Sequence, residues 1–589
     1  MAPTSHATPA PGCRLLPVTI DEIAEDDPDR VWASIPVSSN LSDGYRDITF
    51  RILANAINRS AWFLDTMLGR STRSRPVAYI GKADMRYHIL SMAAAKASYQ
   101  ILFSSHVNSL SAHLNLLELC DCGAFLSAKG VDVSDILPAR PAMQHGFCPE
   151  LDELLDPAPV EAYLMGKTFK DVANDTFLIL HSSGTTGLPK PIHITHAQVA
   201  ANDWLCQLPE ECDCGGPGFR RISPIAECAG RLIVPFAPFH VISAVILMCL
   251  TVFGKSTYVF GPADRSMTAS DLLDAIEHGN GDCTFCSPAL LEKYALSQDD
   301  MTRLGNLSII TYGGGVLSPR AAKTLLEHLP HTKFVQFFGA TESGMWTLYH
   351  LGMDPEYMEY LSIDACHMGL EWRPVEGGGG LLSAAASGEH GPQIPRSTFY
   401  EPIFVRRKDP ALASRQAIFQ TFPDINKYAT GDLFAPHPVR PNTWKFTGRA
   451  DDLILFVHGI KFHPAGIEAK IQQSHSAIQE VVMWGDGHHQ AILLIEPTNE
   501  GLADMENGRG VSKVRSRLDV LIDEINLEAP VIAQIAKTHV MFATRGKPLP
   551  RTAKGSVRRR EAAELYKGEI DEVYRVYGDK MAHMMSRVQ

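Results

Sequence analysis

Short apolar runs alternate along the chain with longer segments in which apolar residues recur at helical spacing. The segments 48–68 and 86–100 carry the helical pattern and predict helices. Clusters of β-branched and aromatic residues between turn-forming residues predict strands at 76–81, 176–181, 255–261 and 307–314. This alternation is typical of layered α/β folds with a largely parallel sheet.

The pattern changes after the stretch "KFTGRADDLILFVHGIKFHP", residues 445–464. A shorter α+β unit follows, with strand-like runs "EVVMWG" and "AILLIEP" and an amphipathic final helix near 560–578. We therefore place a domain junction near Asp451. The predicted organisation is a disordered leader at 1–12, a large body at 13–450 and a small C-terminal domain at 451–589.

Composition narrows the class of protein. A chain of 589 residues is long enough for more than one domain, and its net charge of −12 disfavours a nucleic-acid-binding surface. The longest apolar segment, 241–253, is too short to cross a bilayer, and the N-terminus lacks the basic start and apolar core of a signal peptide. Twelve unevenly spread cysteines fit reduced thiols. We expect a cytoplasmic protein without nucleic-acid or membrane partners.

Three closely spaced cysteine pairs raise the question of a metal site. They are Cys120 with Cys122, Cys212 with Cys214, and Cys283 with Cys286. Only the last pair has C-x-x-C spacing, and the sequence offers no second such pair or histidine pair to complete a tetrahedral zinc site. Its apolar, β-prone surroundings predict buried strand thiols instead.

A loop rich in hydroxyl groups and glycine, "HSSGTTGLPKP" at 181–191, follows the apolar run 177–180. Its backbone N–H and side-chain O–H groups are suited to binding phosphate oxygens. It lacks the G-x-x-x-x-G-K-[ST] spacing of a Walker A loop. Taken alone, the stretch is equally typical of a flexible surface turn.

Four further stretches decide between these readings. They are "QFFGATESG" at 336–344, "YATGD" at 428–432, "FTGRADD" at 446–452 and "KPLPRTAKGSVRRR" at 547–560. In order and spacing, the whole set resembles the core motifs of the adenylate-forming superfamily, which includes acyl-CoA synthetases, nonribosomal peptide synthetase adenylation domains and beetle luciferases. The resemblance extends from about residue 40 to 580. It implies a large N-terminal α/β body of layered subdomains and a small mobile α+β C-terminal lid.

The resemblance also implies which residues bind ATP. Those matching the family's phosphate loop are Ser182, Ser183, Thr185, Thr186 and Lys190, with Pro191 in place of the usual closing glycine. In "FFGATE", Phe338 takes the place of the aromatic residue that stacks on adenine, Thr341 would contact the α-phosphate, and Glu342 would bind Mg²⁺, for which a carboxylate is a suitable hard ligand.

Three residues near the predicted domain junction complete this set. Asp432 matches the acid that binds both ribose hydroxyls, as a carboxylate with two acceptor oxygens can. Arg449 matches the second contact to ribose and phosphate, and Asp451 sits at the position about which the lid rotates. Each of these residues alone could belong to an ordinary turn.

The C-terminal motif departs from the family pattern P-x-T-x-x-G-K-x-x-R, whose lysine bridges the reacting carboxylate and the α-phosphate. Ser556 occupies the lysine position, although Pro550, Thr552, Gly555 and Arg559 match the pattern. We assign the catalytic role to Lys554, two residues earlier, because residues i and i+2 of an extended segment face one side about 6.6 Å apart. Lys547 is the second choice. The alternatives are a surface lysine or a chain that has lost adenylation.

The acid pocket is predicted to involve the stretch "VPFAPFHVISAV", 234–245. It contains no carboxylate to pair with a substrate ammonium, so a simple α-amino acid is disfavoured. The histidine resembles the "FH" of acyl- and aryl-CoA synthetases, although a histidine packed at a strand end fits equally well. The predicted pocket residues are His240, Val241, Ser287, Gly314, Gly315 and Ala340.

Details of the motifs and the ending "ELYKGEIDEVY" look most like the adenylation domains of fungal carboxylic acid reductases of the nonribosomal-peptide-synthetase-like type. The resemblance implies a carboxylic acid substrate, ATP and Mg²⁺, a phosphopantetheine thiol on a carrier domain as acceptor, and a following reductase domain. We find no G-x-G-x-x-G after a strand, and so expect no reductase within these residues. A free-standing acyl- or aryl-CoA ligase and a non-catalytic ATP- or AMP-binding relative are the alternatives.

Overall fold

A computed structural model describes residues 10–71, 75–106, 108–182, 188–211, 219–315, 317–375, 399–457, 461–506, 511–529, 533–551 and 557–578. The chain divides into two compact units. The first comprises 1–371, 404–428 and 440–444, and the second comprises 372–403, 429–439 and 445–589. The domain boundary proposed at residue 451 stays a prediction.

The helices and strands are numbered in chain order. The helices are α1 Leu16–Asp26, α2 Phe50–Leu68, α3 Arg86–Lys96, α4 Leu110–Leu119, α5 Ile136–Ala139, α6 Leu151–Leu154, α7 Phe169–Val172, α8 His196–Cys206, α9 Pro224–Glu227, α10 Leu247–Val252, α11 Ala269–His278, α12 Pro288–Tyr294, α13 Gln298–Leu304, α14 Pro319–His328, α15 Ala365–Met368, α16 Pro410–Ala413, α17 Ala417–Thr421, α18 Ala465–Gln472, α19 Asn499–Glu506, α20 Val511–Glu528, α21 Arg559–Leu565 and α22 Lys567–Tyr577. The strands are β1 Val31–Pro36, β2 Tyr45–Thr49, β3 Arg75–Ile80, β4 Tyr99–Phe103, β5 Ala124–Ser127, β6 Gln144–Phe147, β7 Thr176–Ser182, β8 Lys190–Thr195, β9 Arg231–Ile233, β10 Thr257–Val259, β11 Cys283–Cys286, β12 Ile309–Gly313, β13 Lys333–Phe337, β14 Gly339–Ala340, β15 Gly344–Met345, β16 Leu348–Tyr349, β17 Tyr360–Ile363, β18 Leu370–Val375, β19 Phe399–Val405, β20 Lys427–Ala429, β21 Asp432–Pro436, β22 Thr443–Arg449, β23 Ile454–Leu455, β24 Lys461–Phe462, β25 Ile478–Trp484, β26 Ala491–Pro497 and β27 Ile535–Phe542.

Two large, mostly parallel sheets build the first unit. One has the strand order β13-β12-β11-β9-β10-β1-β2 and is parallel except for β2. The other has the order β6-β5-β3-β4-β7-β8 and is parallel except for the β7–β8 pair. A cluster of buried apolar side chains from α2, α3, β1, β3 and β7 joins residues of both sheets in one core. Every residue of α3 is buried, and its two charged side chains, Arg86 and Lys96, are paired with Asp84 and Asp21.

The predicted helices overran their true ends. Residues 48–49 belong to β2, and the hydroxyl of Thr49 caps α2 by accepting a hydrogen bond from the Ile52 amide at 3.4 Å. The helix predicted at 86–100 ends at Lys96, because Ser98 adopts a left-handed conformation with φ of 60° and Tyr99 begins β4. Residues 99 and 100 were therefore wrongly assigned to a helix.

The second unit contains its own small sheet, with strand order β25-β26-β27. Strands β25 and β26 are antiparallel and β26 and β27 are parallel. Apolar residues on one face pack with α18 and α20, and those on the other face pack with α21 and α22. The single final helix predicted near 560–578 is two helices that meet at Tyr566.

Candidate active site

The predicted acid-pocket residues follow the carboxyl ends of adjacent parallel strands. Strands β13, β12, β11 and β9 are neighbours in that order and all run in the same direction. The carboxyl ends of such strands share one edge of the sheet, where ligands of open α/β sheets bind. The predicted residues that follow these ends are His240 and Val241 after β9, Ser287 after β11, Gly314 and Gly315 after β12, and Phe338 and Ala340 after β13.

The motif "FFGATESG" forms a tight hairpin after β13. Strands β14 and β15 are antiparallel, so the turn Thr341–Ser343 lies between them. A Cβ at Gly339 would lie 2.4 Å from the carbonyl oxygen of Gly344, so glycine is required for the two strands to approach this closely. Gly344 has φ of 66° and lies against the side chain of Asn202. The glycines of the motif therefore give the turn its shape.

Phe338 precedes this hairpin and is half-buried. Its ring contacts the edge of Trp346, with ring centroids 4.8 Å apart and an interplanar angle of 70°. The Phe338 carbonyl accepts a hydrogen bond from the Trp346 amide at 2.9 Å. The position predicted to stack on adenine is therefore supported from one side by a buried tryptophan.

The side chains of Thr341 and Glu342 are half-buried, and their backbone carbonyls are engaged by the protein. Gln198 on α8 donates from Nε2 to the Thr341 carbonyl at 3.0 Å. Thr421 at the end of α17 donates its hydroxyl to the Glu342 carbonyl at 2.8 Å. The Glu342 carboxylate is a hard oxygen ligand of the kind that Mg²⁺ accepts.

The hydroxyl-rich stretch joins two antiparallel strands, β7 and β8. Ser182 ends β7 and pairs with Lys190, the exposed first residue of β8. Ser183, Thr185 and Thr186, predicted to contact ATP phosphates, lie outside the described residues, as does the side chain of Ser182.

His181 lies immediately before Ser182 and is half-buried. Its Nε2 accepts a hydrogen bond from the Ser105 amide at 3.1 Å, and its ring stacks on Phe239 with centroids 6.5 Å apart. Burial lowers the pKa of His181 to about 4. The histidine is therefore neutral at physiological pH, and its acceptor nitrogen helps to fix the end of β7.

His240 lies at the start of a helical segment, which corrects the alternative of a histidine packed at a strand end. Val241 precedes the π-helical turn Ile242–Ile246, which continues into α10. The Nδ1 of His240 accepts a hydrogen bond from the Ile242 amide at 3.3 Å, and its ring stacks on Phe236 with centroids 5.1 Å apart. These contacts hold the imidazole ring in one orientation.

The remaining predicted pocket residues contribute mainly backbone. Ser287 caps α12, because its hydroxyl accepts a hydrogen bond from the Leu290 amide at 3.3 Å. Gly314, with φ of 83°, and Gly315 are exposed after β12, and Ala340 is exposed on β14. Cys283 and Cys286 lie buried in β11, as the sequence predicts, and burial raises the pKa of both thiols.

In the second unit, Asp432 and Arg449 form an ion pair. Asp432 begins β21 and Arg449 ends the neighbouring β22, and Nη1 of the arginine lies 2.8 Å from Oδ1 of the aspartate. A Cβ at Gly431 would lie 2.9 Å from the same guanidinium group, so the glycine of "TGD" leaves room for it. The carboxylate of Glu401 accepts a hydrogen bond from the Gly431 amide at 2.9 Å and fixes this turn.

The hinge candidate Asp451 is exposed in the 3₁₀ turn Ala450–Asp452. Its neighbour Asp452 lies 3.9 Å from the guanidinium of Arg559, which also forms two hydrogen bonds with Glu468. Thus Arg559, which matches the arginine of the C-terminal motif, is anchored beside the predicted hinge within the second unit.

Of the two lysine candidates, only Lys547 lies within the described residues. Lys554 lies outside the described residues. Lys547 forms an ion pair of 2.5 Å with Glu569, and its ammonium lies 4.4 Å from the centroid of the Tyr566 ring. Within the motif, Arg551 and Val557 pair through an antiparallel bridge.

Sequence reasoning overlooked Gln198, Thr421, Trp346 and Glu401. A signal existed for the first, because Thr195 and Gln198 have the T-x-x-Q spacing of a helix capping box. The Thr195 hydroxyl does cap α8, whereas the Gln198 side chain reaches Thr341 instead of the cap. The contacts of Thr421 and Glu401 join segments that are distant in the chain, so no local pattern indicates them, whereas Trp346 lies only a few residues after Phe338 in the same hairpin.

Comparison with known proteins adds an independent observation. The family model described as AMP-binding enzyme matches residues 20–389, and that described as AMP-binding enzyme C-terminal domain matches residues 451–577. A carboxylic acid reductase from Neurospora crassa is 31% identical over 97% of this chain and 51% of its own length. The adenylate-forming reductase Nps9 from Serpula lacrymans is 26% identical over 92% of this chain and 48% of its own length. The chain thus spans about half the length of these relatives.

Solved structures with the same fold include an anthranilate CoA ligase, AuaEII, in complex with anthranoyl-AMP. Its TM-score is 0.67 at 16% identity, over 95% of this chain and 99% of that one. ATP-bound MatB from Rhodopseudomonas palustris has a TM-score of 0.66 at 15% identity, over 95% of this chain and 100% of that one. The shared fold confirms the predicted α/β architecture with a large N-terminal body and a C-terminal domain. Within the described part of the chain, no helix combines the length and apolar character needed to cross a membrane.

Proposed function

Because the chain belongs to the family of AMP-binding enzymes, we propose that it uses ATP to activate a carboxylic acid as an acyl-adenylate. The observation that carries this proposal is the turn Thr341–Glu342, which follows the carboxyl end of β13 and has both backbone carbonyls tied to neighbouring helices. In this proposal Thr341 contacts the α-phosphate, Phe338 packs on adenine and Glu342 binds Mg²⁺.

A substrate carboxylate oxygen attacks the α-phosphorus of ATP, and the bond from that phosphorus to the bridging oxygen of pyrophosphate breaks. Bound Mg²⁺ would supply positive charge to the departing pyrophosphate. The chain itself contributes by positioning the reactants and by placing charged and polar groups beside them. The residues 182–190 donate N–H and O–H groups to the phosphates, and Asp432 and Arg449 bind the ribose. Lys554 stabilises the negative charge between carboxylate and α-phosphate.

We further propose that the acyl group passes to a pantetheine thiol. The sulfur attacks the acyl carbonyl carbon, the carbon–oxygen bond to AMP breaks, and the thiol proton is released to solvent. The Neurospora and Serpula relatives are named reductases, which fits a chain that passes its activated acyl group on to a further step. Rotation of the C-terminal domain about Asp451 would switch the enzyme from adenylate formation to thioester formation.

The pocket favours an acid without a free α-ammonium. In the stretch 234–245 after β9 the sequence carries no Asp or Glu, and burying an ammonium without a partner is costly. His240, with its ring held by Phe236 and the Ile242 amide, and Val241 would line one wall, and Ser287, Gly314, Gly315 and Ala340 the other.

Acid-dependent exchange of pyrophosphate into ATP tests the first step. We expect exchange with one class from a panel of aryl, aliphatic, amino and quaternary-ammonium carboxylates. Lys554→Ala should reduce the exchange rate at least about tenfold, as expected for loss of a charge that stabilises the transition state. Lys547→Ala tests the second candidate lysine in the same way. Equal activity of both variants and the parent would disprove the lysine assignment.

Ser556, which stands where the family has its catalytic lysine, favours a second candidate. A chain that has lost adenylation would bind ATP or AMP without catalysing exchange. Nucleotide binding by calorimetry together with silence across the acid panel would favour that function. Thioester formation with free CoA and no carrier protein would instead indicate a CoA ligase.

A further inference from the structure

We propose that Gln198 and Thr421 are positioning residues for bound Mg²⁺–ATP. Gln198 orients Thr341 towards the α-phosphate, and Thr421 orients Glu342 towards the Mg²⁺ ion. This inference rests on the proposed function and deepens it. Each side chain donates one hydrogen bond to the backbone carbonyl of one turn residue, at 3.0 Å from Gln198 and 2.8 Å from Thr421.

Gln198 is rigidly placed. Only 1% of the residue is exposed, and α8 is fixed at its start by the Thr195 cap, so the amide has little freedom to turn away from the Thr341 carbonyl. One turn later on α8, Asn202 contacts the other end of the hairpin, where its Oδ1 accepts a hydrogen bond from the Met345 amide at 3.4 Å. Two consecutive turns of one helix therefore support the turn of the hairpin and its second strand. Because α8 directly follows β8, this support also links the hairpin to the strand pair that carries the phosphate loop.

Thr421 has a single hydroxyl proton and two carbonyl acceptors. The Glu342 carbonyl lies at 2.8 Å and the Ala417 carbonyl of its own helix lies at 3.2 Å. The shorter contact is the stronger one. The hydroxyl therefore directs the peptide plane after Glu342, which sets the direction in which the Glu342 carboxylate leaves the backbone.

The two contacts act on different substrate groups. A shift of the Thr341 carbonyl moves the residue proposed to contact the α-phosphate, where bonds form and break. A shift of the Glu342 carbonyl moves the proposed metal ligand. Loss of Gln198 should therefore lower kcat and change the half-maximal Mg²⁺ concentration less. Loss of Thr421 should instead raise the Mg²⁺ concentration required for half-maximal activity.

Two substitutions of Thr421 test its hydroxyl group. Thr421→Val removes the hydroxyl and should raise the half-maximal Mg²⁺ concentration about tenfold, while Thr421→Ser keeps the donor and should restore the parent value. Thr324→Val is the matched control, because the Thr324 hydroxyl donates to the Arg320 carbonyl at 3.1 Å within α14, in an exposed position. A purely structural role would lower stability without moving the Mg²⁺ dependence.

The Gln198 arm uses Gln198→Met, which keeps the length of the side chain and removes the donor. We expect kcat for pyrophosphate exchange to fall about tenfold at saturating Mg²⁺ and ATP, with the half-maximal Mg²⁺ concentration changed less than in Thr421→Val. Identical Mg²⁺ and kcat responses in both variants, or no response in either, would overturn the inference. Absence of exchange in the parent enzyme would instead refute the proposed function, so the two failures can be told apart.

Discussion

Asp432 and Arg449, seventeen residues apart, meet across neighbouring strands with 2.8 Å between Oδ1 and Nη1. The aspartate side chain is 11% exposed and the arginine side chain 48% exposed. The pair therefore places a carboxylate, which has two acceptor oxygens, beside a guanidinium group. An ion pair that is already formed also reduces the reorganisation required when a nucleotide binds.

Removal of the Asp432 carboxylate should weaken nucleotide binding. Asp432→Ala is expected to raise the KM for ATP at least about tenfold, because two hydrogen bonds to a charged acceptor are lost. Steady-state exchange kinetics at varied ATP measure this, with the exposed Asp571→Asn as the control for loss of one negative charge. An unchanged KM would remove Asp432 from the ribose site.

The glycines of the hairpin should be sensitive to the addition of one methyl group. Gly339→Ala would place Cβ 2.4 Å from the Gly344 carbonyl oxygen, so the two strands must separate. We expect loss of most exchange activity and a fall of about 1–3 kcal/mol in the free energy of unfolding. Gly166→Ala is the matched control, since no atom lies within 4 Å of its added Cβ. Denaturant titration and exchange rates together test this, and parent-like behaviour of Gly339→Ala would contradict the hairpin geometry.

The lid should depend on Arg559 for stability. The Arg559 side chain is 17% exposed and Glu468 is 11% exposed, and the arginine also donates to the Met483 carbonyl at 2.8 Å. Arg559→Ala leaves the Glu468 carboxylate without its cation and should lower the free energy of unfolding by about 3–5 kcal/mol. Arg575→Ala, at an exposed pair with Glu572, should cost less than about 1 kcal/mol. Urea titration of the full chain distinguishes them, and equal losses would show that burial of the pair has no effect.

Acid should destabilise the first unit through buried histidines. Burial lowers the pKa of His88 to about 4, and its Nε2 lies 3.1 Å from the Ser243 carbonyl. Its unfolded pKa is about 6.5, so below that pH the unfolded chain binds a proton that the folded chain does not. The free energy of unfolding therefore falls as the pH drops from about 6.5 towards 4. Between about pH 7 and pH 5, the free energy of unfolding of His88→Gln should fall by about 2 kcal/mol less than that of the parent.

The measurement is the free energy of unfolding at several pH values, and the quantity compared is its slope. His278→Gln, on the exposed end of α11, is the control for loss of a histidine. The same slope in the parent and in His88→Gln would mean that another group is responsible.

The amino-acid sequence by itself determined the alternation of helices and strands, the buried thiols of "CTFC" and the family to which the motifs belong. Local physics explains this success. Apolar periodicity indicates a strand or a helix from a short stretch of sequence. A Gly-rich motif is recognisable in the sequence because its backbone conformation depends on its own few residues. Even so, helix ends were misplaced where a single residue such as Ser98 turned left-handed.

Only the tertiary structure decided which distant residues support the site. Gln198 reaches Thr341 across 143 positions and Thr421 reaches Glu342 across 79 positions, and no pattern in the neighbouring sequence indicates which residue either side chain contacts. The same holds for Arg559 and Glu468, which are 91 positions apart. Such contacts depend on how helices pack against sheets. Packing is a property of the whole chain, whereas a motif records only the chemistry of its own few residues.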